Sequence, residues 1–356
     1  MSTPKVTVLM PVYNAGPFLR EAMESILRQT FADFEFLIID DGSTDDSVAI
    51  VESYNDARIR LFKNEKNLGI SATLNKGIAL SSTELIARMD ADDISYPTRL
   101  QKQYDYMLRH PACALLSTWA RVVTEDKKFV RLERYRSNFY YYNLTFECWM
   151  YHPTIMFRKK AAERVDMYSM PYSEDYDLFW KLSTRFEIGN LAEPLLDYRL
   201  SSSSLNAVTK KKEYDLANEQ NVLRNIRYYM GDDFTISMPV LECLRHNFGP
   251  VVETGDMAEI LACFSVLDAI TERILRTENP NGDPRSIRAA HYFKKRFMLM
   301  ELGKALPKAQ SVGLLLRTNA WPILCALALH SLRWRIKEAI RIVGNPLRVL
   351  NPQRVV

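Results

Sequence analysis

The chain has 356 residues, 47% of them apolar and 25% charged, which excludes a disordered protein and provides enough apolar side chains for a sizeable folded core. Its formal net charge of +4 is too small to indicate nucleic-acid binding, so we expect no nucleic-acid partner. The five cysteines are widely spaced and form no CxxC pair, which favours reduced thiols over a disulfide framework or a zinc site.

The N-terminal segment begins at Met1 and runs directly into a strand-like stretch. It contains neither a basic n-region nor an apolar h-region, so the sequence predicts no signal peptide. Together with the cysteine pattern, this favours a cytoplasmic protein.

The first 117 residues alternate between strand-like and helix-like segments. Short apolar runs of strand length lie at Val6 to Met10, Phe34 to Ile39, Ile59 to Phe62, Leu85 to Met89 and Cys113 to Ser117. The clearest helix covers residues 17–29, where Pro17 suits the first helical position and apolar residues recur at helical spacing. The alternation predicts an α/β fold with a doubly wound, mostly parallel sheet and helices on both faces.

Polar clusters follow three of these strands. They are Pro11-Val12-Tyr13-Asn14-Ala15-Gly16 after the first, Asp40-Asp41-Gly42-Ser43 after the second, and Asp90-Ala91-Asp92-Asp93 after the fourth. In a parallel α/β sheet, ligands bind beyond the carboxyl ends of the strands. We therefore expect the three clusters to open on one edge of the sheet and to form the binding site.

The acidic cluster of Asp90, Asp92 and Asp93 has a structural and a functional interpretation. The structural one is a solvated loop before the following helix, whose dipole favours nearby carboxylates. An EF-hand calcium loop is excluded by spacing, because counting from Asp90 puts Ser95 where Gly is required and Gln101 where Glu is required. The functional interpretation is a Mg²⁺ or Mn²⁺ site with one or two carboxylate ligands and open positions for the oxygens of a diphosphate.

The turn after the second strand also has two interpretations. Ser43 or Thr44 is expected to cap the next helix, with the two following aspartates in its first turn. Asp40 and Asp41 leave the strand before that helix begins. We expect them to be free to accept hydrogen bonds from a ligand, such as the N–H of a pyrimidine base.

Other nucleotide-binding patterns are missing from the sequence. It has no GxxxxGK[ST] phosphate loop and no GxGxxG after the first strand, which argues against a P-loop NTPase and a Rossmann dehydrogenase. Phosphates bound at this edge would therefore need a metal ion for much of their counter-charge.

The character of the sequence changes after residue 117. Residues 119–200 combine short strands and helices with aromatic clusters, and four serines at 201–204 follow them. Helix-like segments then cover residues 210–230, 235–247, 255–277, 285–305 and 310–342. We predict one domain over residues 1–205 and a helical C-terminal region over residues 206–356.

Five motifs, in this order and spacing, resemble those of a known family. They are VTVLMPVYNAGPFLREAMESILRQTFADFEFLIIDDGSTDDS, NEKNLGISATLNKGI, ELIARMDADDISYPTRLQKQ, YHPTIMFRK and SEDYDLFWKL. Over about residues 5–200 the chain resembles the family 2 glycosyltransferases, which have a GT-A fold. The resemblance implies a metal-dependent, inverting enzyme that moves a sugar from a nucleoside diphosphate sugar, usually a UDP- or dTDP-sugar, to a hydroxyl of a glycan or lipid-linked acceptor. We expect a role in bacterial surface polysaccharide synthesis.

The resemblance also implies roles for particular residues. The nucleotide-sugar donor is expected to contact Pro11, Tyr13, Asn14, Asp41, Arg88, Asp90, Asp92 and Asp93. Asp92 and Asp90 are the expected ligands of Mn²⁺ or Mg²⁺, which stabilises the leaving diphosphate as a Lewis acid. Glu174 and Asp175 match the catalytic acidic pair at the acceptor site, with Asp175 as the base that a weakly nucleophilic sugar hydroxyl needs. The structural alternative for this pair is an ordinary helix N-terminus after Ser173.

Three further positions relate to the same resemblance. His152 matches a residue near the acceptor site, although a buried core histidine is the alternative, and Arg199 belongs to a closing YR motif that we also assign to the acceptor side. The chain departs from the family at Ser201, where many relatives carry a histidine that can serve the metal or the diphosphate. Water or another residue has to complete the coordination shell there.

The C-terminal segment lies outside the resemblance. Residues 314–332 are apolar, but too interrupted for a membrane-spanning helix, by Arg317, Asn319, Pro322 and His330. The basic stretch that follows contains six Arg or Lys residues and one acidic residue, Glu338. Residues 314–356 therefore suggest either peripheral contact with an anionic membrane surface, at the inner face of the cytoplasmic membrane, or a helical cap with a solvated basic face.

Two functions follow from these observations. The first is the glycosyltransferase, and the alternative is a non-catalytic nucleotide-sugar-binding or scaffold protein on the same fold. The intact pair of Glu174 and Asp175 favours the enzyme, because a degenerate site would be expected to lose its base, whereas Ser201 favours the alternative.

Overall fold

The computed structural model describes residues 3–201 and 210–318. The strands are β1 Val6–Val12, β2 Phe34–Asp40, β3 Ile59–Lys63, β4 Leu85–Arg88, β5 Ile94–Ser95, β6 Cys113–Thr124, β7 Phe129–Glu133, β8 Met156–Arg158 and β9 Glu187–Leu200. The helices are α1 Gly16–Leu27, α2 Ser47–Glu52, α3 Ile70–Leu80, α4 Arg99–Arg109, α5 Tyr140–Asn143, α6 Lys159–Glu163, α7 Glu174–Arg185, α8 Lys211–Met230, α9 Met238–Leu244, α10 Gly249–Glu253, α11 Met257–Arg276, α12 Pro284–Ala305 and α13 Lys308–Arg317.

The strands form one mixed sheet in the order β3-β2-β1-β4-β8-β6-β9-β5, and β7 pairs with β6. The pairs β2–β3, β1–β2, β1–β4 and β6–β9 are parallel, whereas β8 is antiparallel to both β4 and β6. The predicted α/β fold with a mostly parallel sheet is confirmed. All five predicted strands are present, and the last of them continues as β6 to Thr124.

The core forms because the central strands are apolar on both faces. Every residue of β1 and β2 is buried, as expected for parallel strands covered by helices on both sides. Helix α1 contributes one apolar face to the same core, consisting of Leu19, Ala22, Met23 and Ile26. The spacing of these four residues is the helical pattern visible in the sequence.

Pro11 lies inside β1, where a missing backbone N–H would normally disrupt a central strand. The oxygen of the next residue, Val12, accepts a hydrogen bond from Asp41 N on the β2 side. Because alternate residues of a strand face opposite neighbours, Pro11 presents its nitrogen to the β4 side. There the last backbone bond between β1 and β4 runs from Met89 N to Leu9 O at 3.0 Å, so Pro11 lies where that ladder ends.

Contacts divide the chain into two compact units. The first contains residues 1–235 and 269–291, with the whole sheet, and the second contains residues 236–268 and 292–356, described as far as residue 318. The second unit is helical, and its buried apolar side chains include Leu241, Ile260 and Leu302. The predicted boundary at residue 205 remains a prediction.

The predicted C-terminal helices correspond to α8, α9, α11 and α12, while the predicted segment 310–342 lies outside the described residues from 319 onward. Within the described ranges, none of the helices combines the length and apolar character that crossing a bilayer requires.

Candidate active site

The polar clusters after β1, β2 and β4 meet at one edge of the sheet, because these three strands are parallel neighbours in register. Val12 pairs with Asp40, and Leu9 pairs with Arg88. Strand β8 runs in the opposite direction, so the turn that precedes it, His152–Thr154, reaches the same edge. The hydrogen bond from Arg88 N to Ile155 O, at 3.1 Å, fixes that turn beside the end of β4.

The three aspartates after β4 form a compact acidic turn. One oxygen from each of Asp90, Asp92 and Asp93 lies within 4.8 Å of the others. Asp90 forms an ion pair with Arg88, whose side chain is only 4% exposed. Asp93 Oδ1 accepts a hydrogen bond of 2.8 Å from Arg199 N, whereas Asp93 Oδ2 is buried without a hydrogen-bond partner in the described part of the chain.

Carboxylates this close together repel one another, and burial removes the water that would screen them. Burial and the neighbouring Asp90 raise the pKa of Asp92 to about 6. Burial, Asp92 and Asp90 raise the pKa of Asp93 well above its ordinary value. An unpartnered buried oxygen within a group of three carboxylates fits a hard divalent cation, which would supply the missing positive charge.

Arg199 stabilises the acidic turn through hydrogen bonds. Its guanidinium donates hydrogen bonds to Asp92 O at 2.7 Å, to Glu125 O at 2.6 Å and to Glu21 Oε2 at 2.6 Å. Arg199 is 4% exposed. These contacts favour a positioning role, and the assignment of Arg199 to the acceptor side remains a prediction.

The second acidic group, Glu174 and Asp175, lies at the start of α7. Ser173 precedes it in the left-handed region, with φ 54°, a conformation that a non-glycine residue adopts at a cost unless its surroundings hold it. Helix α8 provides that support. Ser173 Oγ donates to Asn218 Oδ1 at 2.6 Å, and Asn221 Nδ2 donates to Ser173 O at 3.2 Å.

His152 links this acidic group to a buried tyrosine. Its Nε2 lies 2.8 Å from Tyr168 Oη, and its Nδ1 lies 3.5 Å from Glu174 Oε1. Burial and the charge of Arg88 lower the pKa of His152 to about 3, so the ring is neutral at pH 7. Since burial also raises the pKa of the Tyr168 phenol, the phenol keeps its proton and donates to Nε2. That arrangement leaves the histidine proton on Nδ1, facing Glu174.

The two acidic groups are connected electrostatically through Arg88. Burial raises the pKa of Glu174 to about 7, against an opposing effect of Arg88. Burial and Glu174 raise the pKa of Asp175. The guanidinium that pairs with Asp90 thus also acts on the acidic pair at α7, and Arg88 is the buried cation that the two groups share.

Asp41 already accepts hydrogen bonds within the protein, and its contact with a ligand remains a prediction. Asp41 Oδ1 accepts hydrogen bonds from Asn64 Nδ2 at 2.8 Å and Leu68 N at 2.9 Å, and its Oδ2 accepts one from Gly69 N at 3.0 Å. The carboxylate therefore fastens the loop after β3 to the end of β2. Because a carboxylate offers about four acceptor positions, Oδ2 retains capacity for one more donor.

Only one of the two carboxylate oxygens of Asp40 accepts hydrogen bonds in the described part of the chain. Its Oδ2 accepts hydrogen bonds from Gly42 N and Ser43 N, both at 3.2 Å, while its buried Oδ1 has no partner within residues 3–201 and 210–318. Gly42 has φ 77°, and a Cβ there would lie 2.8 Å from Lys66 C. A glycine is thus required for the close approach of the two loops.

The predicted cap of the next helix was wrong, because α2 begins only at Ser47. Ser43 Oγ instead accepts a hydrogen bond from Asn14 N at 3.0 Å, and Asn14 Oδ1 accepts one from Thr44 N at 2.8 Å. Asp45 accepts hydrogen bonds from Gly16 N and Ser47 N. Short polar side chains bond to nearby backbone before a helix can form, and here they join the loops after β1 and β2. Asn14 therefore positions these loops, and its contact with the donor remains a prediction.

Tyr13 is the exposed member of the first cluster. Its side chain is 46% exposed and follows directly after β1, whereas Pro11 is buried within the strand. Tyr13 thus presents an aromatic ring at the edge where Asp40 and Asp41 end β2.

Sequence reasoning missed several residues around the site. Arg99 is fully buried and donates to Arg88 O at 2.7 Å, so it supports the end of β4. Burial and the charges of the three aspartates of the turn raise the pKa of Tyr198. Burial raises the pKa of Tyr214, on α8, and the charges of Glu174 and Asp175 raise it further. The first two lie within recognised motifs, but α8 gives no sequence signal that it reaches the site.

Comparison with known proteins identifies the family of the chain. Residues 7–169 match the model of the family Glycosyl transferase family 2. The chain is 33% identical over 207 residues to the Escherichia coli O-antigen biosynthesis glycosyltransferase WbnJ, covering 56% of this chain and 81% of that protein. It is 32% identical over 211 residues to the Escherichia coli UDP-Gal:alpha-D-GlcNAc-diphosphoundecaprenol beta-1,3-galactosyltransferase, covering 57% of this chain and 76% of that protein.

Among solved structures, the chain superposes on that of S. aureus TarS 1-349 in complex with UDP-GlcNAc with a TM-score of 0.55 and 15% identity, covering 85% of this chain and 92% of that one. This likeness shows the fold, which is that of the GT-A glycosyltransferases. Fold, motifs and sequence similarity lead to one conclusion: the chain is a glycosyltransferase and belongs to glycosyltransferase family 2.

Proposed function

We propose that this enzyme transfers a sugar, with inversion at the anomeric carbon, from a UDP- or dTDP-sugar to a hydroxyl of a glycan or lipid-linked acceptor. The observation that carries the proposal is the pair of acidic groups, Asp90–Asp93 and Glu174–Asp175, joined by buried Arg88. One group suits a diphosphate with its cation, and the other suits a hydroxyl that has to lose a proton.

On the donor side, Asp92 and Asp90 would hold Mn²⁺ or Mg²⁺, and Arg88 and Asp93 would complete the diphosphate site. A cation bound there supplies Lewis-acid stabilisation of the leaving nucleoside diphosphate. The unpartnered Oδ2 of Asp93 and the raised pKa of Asp92 support this assignment.

The nucleoside would lie at the ends of β1 and β2. Tyr13 offers an exposed ring on which a base can stack. Asp40 Oδ1 and the remaining acceptor position of Asp41 Oδ2 are suited to the N–H of a uracil or thymine. Asp41 also anchors the loop after β3, a role that the sequence did not predict.

On the acceptor side, Asp175 would be the catalytic base. It takes the proton of the acceptor hydroxyl as that oxygen attacks the anomeric carbon from the face opposite the diphosphate. The bond from the anomeric carbon to the diphosphate oxygen breaks, and the nucleoside diphosphate leaves with the electron pair. The raised pKa of Asp175 supports this role, because it brings a carboxylate closer to the strength that a general base needs.

The nature of the substrates is supported by the relatives. One of them is named for a UDP-Gal donor and a lipid-diphosphate-linked GlcNAc acceptor, and another for O-antigen biosynthesis. We propose a lipid-linked intermediate of a bacterial surface polysaccharide as the acceptor, with the enzyme in the cytoplasm at the inner face of the membrane.

Residues 314–356 would provide the peripheral membrane contact, on the strength of their basic and aromatic composition. These residues lie outside the described part of the chain from 319 onward. The test is flotation of the protein with anionic vesicles, compared with a variant in which Arg333, Arg335 and Lys337 are changed to Gln. Equal flotation of the two proteins would contradict the proposal.

The proposed activity is tested by incubating the enzyme with UDP-Gal, UDP-GlcNAc or a dTDP-sugar, a short-chain lipid-diphosphate GlcNAc acceptor, and Mn²⁺. We expect a new glycosidic bond whose anomeric configuration, read by NMR, is opposite to that of the donor. Asp175→Asn provides the matched control. Retention of configuration, or equal transfer by the variant, would contradict the mechanism.

A further inference from the structure

Helix α8 directs one face toward the start of α7. Asn218 and Asn221 on this face hold Ser173, the residue immediately before Glu174. Tyr214 lies four and seven residues before them, which places it on the same face one turn earlier. The helix that anchors the turn of the catalytic pair therefore also carries an aromatic side chain toward it.

A second tyrosine meets the first. The ring centroids of Tyr172 and Tyr214 are 5.2 Å apart with an interplanar angle of 62°, a favourable edge-to-face arrangement. Both side chains are partly exposed. Tyr172 is separated from Glu174 only by Ser173 in the chain, so the tyrosine pair lies next to the turn that carries the acidic pair.

The phenol of Tyr214 remains protonated at neutral pH. Burial raises its pKa, and Glu174, Asp175 and Asp90 raise it further. Its hydroxyl is therefore a stable hydrogen-bond donor at the pH of the cell. A donor combined with aromatic rings suits a pyranose, which presents C–H groups on its faces and hydroxyls at its edge.

We propose that Tyr172 and Tyr214 form the acceptor subsite and hold the sugar ring whose hydroxyl Asp175 deprotonates. This inference rests on the proposed function. It assigns the acceptor rather than the donor, because a base has to lie within about 3 Å of the hydroxyl that it deprotonates. We therefore expect the acceptor ring to lie close to the residues around Asp175. The diphosphate of the donor, in contrast, is assigned to the turn after β4.

The test is steady-state kinetics of the full-length enzyme with UDP-Gal and a short-chain lipid-diphosphate GlcNAc acceptor, varying each substrate at saturation of the other. The variants are Tyr214→Ala, Tyr172→Ala and Tyr214→Phe. Tyr228→Ala is the matched control. Tyr228 lies on the same helix and is 52% exposed, but it is not part of the proposed subsite. Circular dichroism and calorimetric UDP binding with Mn²⁺ verify that each variant is folded.

We expect each alanine variant to raise the KM for the acceptor about tenfold, as for the loss of one aromatic contact, while the KM for UDP-Gal and the affinity for UDP stay within twofold of wild type. Tyr214→Phe should fall between the wild type and Tyr214→Ala, because it keeps the ring and loses the hydroxyl.

An unchanged KM for the acceptor in both alanine variants would overturn the inference while leaving the proposed function intact. So would a rise only in the KM for UDP-Gal, which would assign the tyrosines to the donor sugar. If the wild-type protein transfers sugar to none of a panel of lipid-linked and free glycans, the proposed function fails and the inference falls with it.

Discussion

Arg88 and Asp90 form an ion pair at the point where β4 ends, in which the arginine is buried and the aspartate partly buried, with side-chain exposures of 4% and 26%. The same guanidinium also acts on Glu174, at the start of α7. A single cation therefore stabilises the charges of both acidic groups. Its removal is expected to affect the diphosphate site and the acidic pair together.

Arg88→Met is expected to lower the free energy of unfolding by about 3 kcal/mol, because it leaves Asp90 and Glu174 without their shared counter-charge. Urea unfolding at pH 7.5 measures this loss. Arg88→Lys keeps the charge and should lose less. Equal losses in the two variants would show that packing of the side chain, rather than its charge, is what matters.

Glu174 should make stability depend on pH. Burial raises its pKa from 4.5 to about 7, so the folded protein binds this proton more tightly than the unfolded chain does. The resulting stabilisation is complete below pH 4.5 and is lost as the pH rises through 7. Glu174→Gln, which is neutral throughout, should be more stable than wild type by about 3 kcal/mol at pH 8, with the difference vanishing near pH 4.5.

Urea unfolding of both proteins from pH 4.5 to pH 8 provides the measurement. Glu65→Gln is the control at an exposed glutamate and should show no such trend. A difference between Glu174→Gln and wild type that is constant with pH would mean that Glu174 does not titrate in this range.

Asp175→Asn should lower kcat more than a hundredfold, because a general base contributes at least that factor. The affinity for UDP with Mn²⁺ should remain within a few-fold of wild type. In the wild type, kcat/KM should decrease as the pH is lowered through the raised pKa of Asp175, because the base becomes protonated. A variant that retains full kcat would remove Asp175 from the chemistry.

Substitutions of Asp41 and of Asp40 should differ in their effect on the free energy of unfolding. Asp41→Ala leaves the donors of Asn64, Leu68 and Gly69 without their acceptor, so we expect a loss of about 2 kcal/mol in unfolding free energy together with weaker UDP binding. Asp40→Asn can keep the oxygen that caps the turn while replacing the unpartnered one with an amide donor. It should weaken UDP binding with little effect on stability. The opposite pattern would exclude Asp40 from base recognition.

The sheet could be predicted from the sequence because its determinants are local. Apolar runs such as Val6 to Met10 are buried on both faces, and the rule that ligands bind beyond the carboxyl ends of parallel strands placed Asp90 and Asp41 at one edge. The role of Asp41 could not be predicted, since its three donors come from a loop more than twenty residues away in the chain.

The contribution of α8 was equally inaccessible to sequence reasoning. Asn218 and Asn221 appear in the sequence as ordinary polar helical residues, and only the three-dimensional structure brings them to Ser173. Ser173 has a left-handed backbone conformation, and that contact helps to hold it. Long-range hydrogen bonds of this kind carry no periodicity or spacing that a single sequence displays.

The central claim, a diphosphate site completed by a cation at the acidic turn, is tested most directly by calorimetric titration of the wild type and Asp92→Ala with UDP and dTDP, with and without Mn²⁺. GDP and CDP serve as controls for base recognition. We expect the wild type to bind UDP or dTDP at least tenfold more tightly with Mn²⁺ and Asp92→Ala to lose that gain. Folded wild-type protein that binds none of the four nucleotides, or binds them equally well without Mn²⁺, would contradict it.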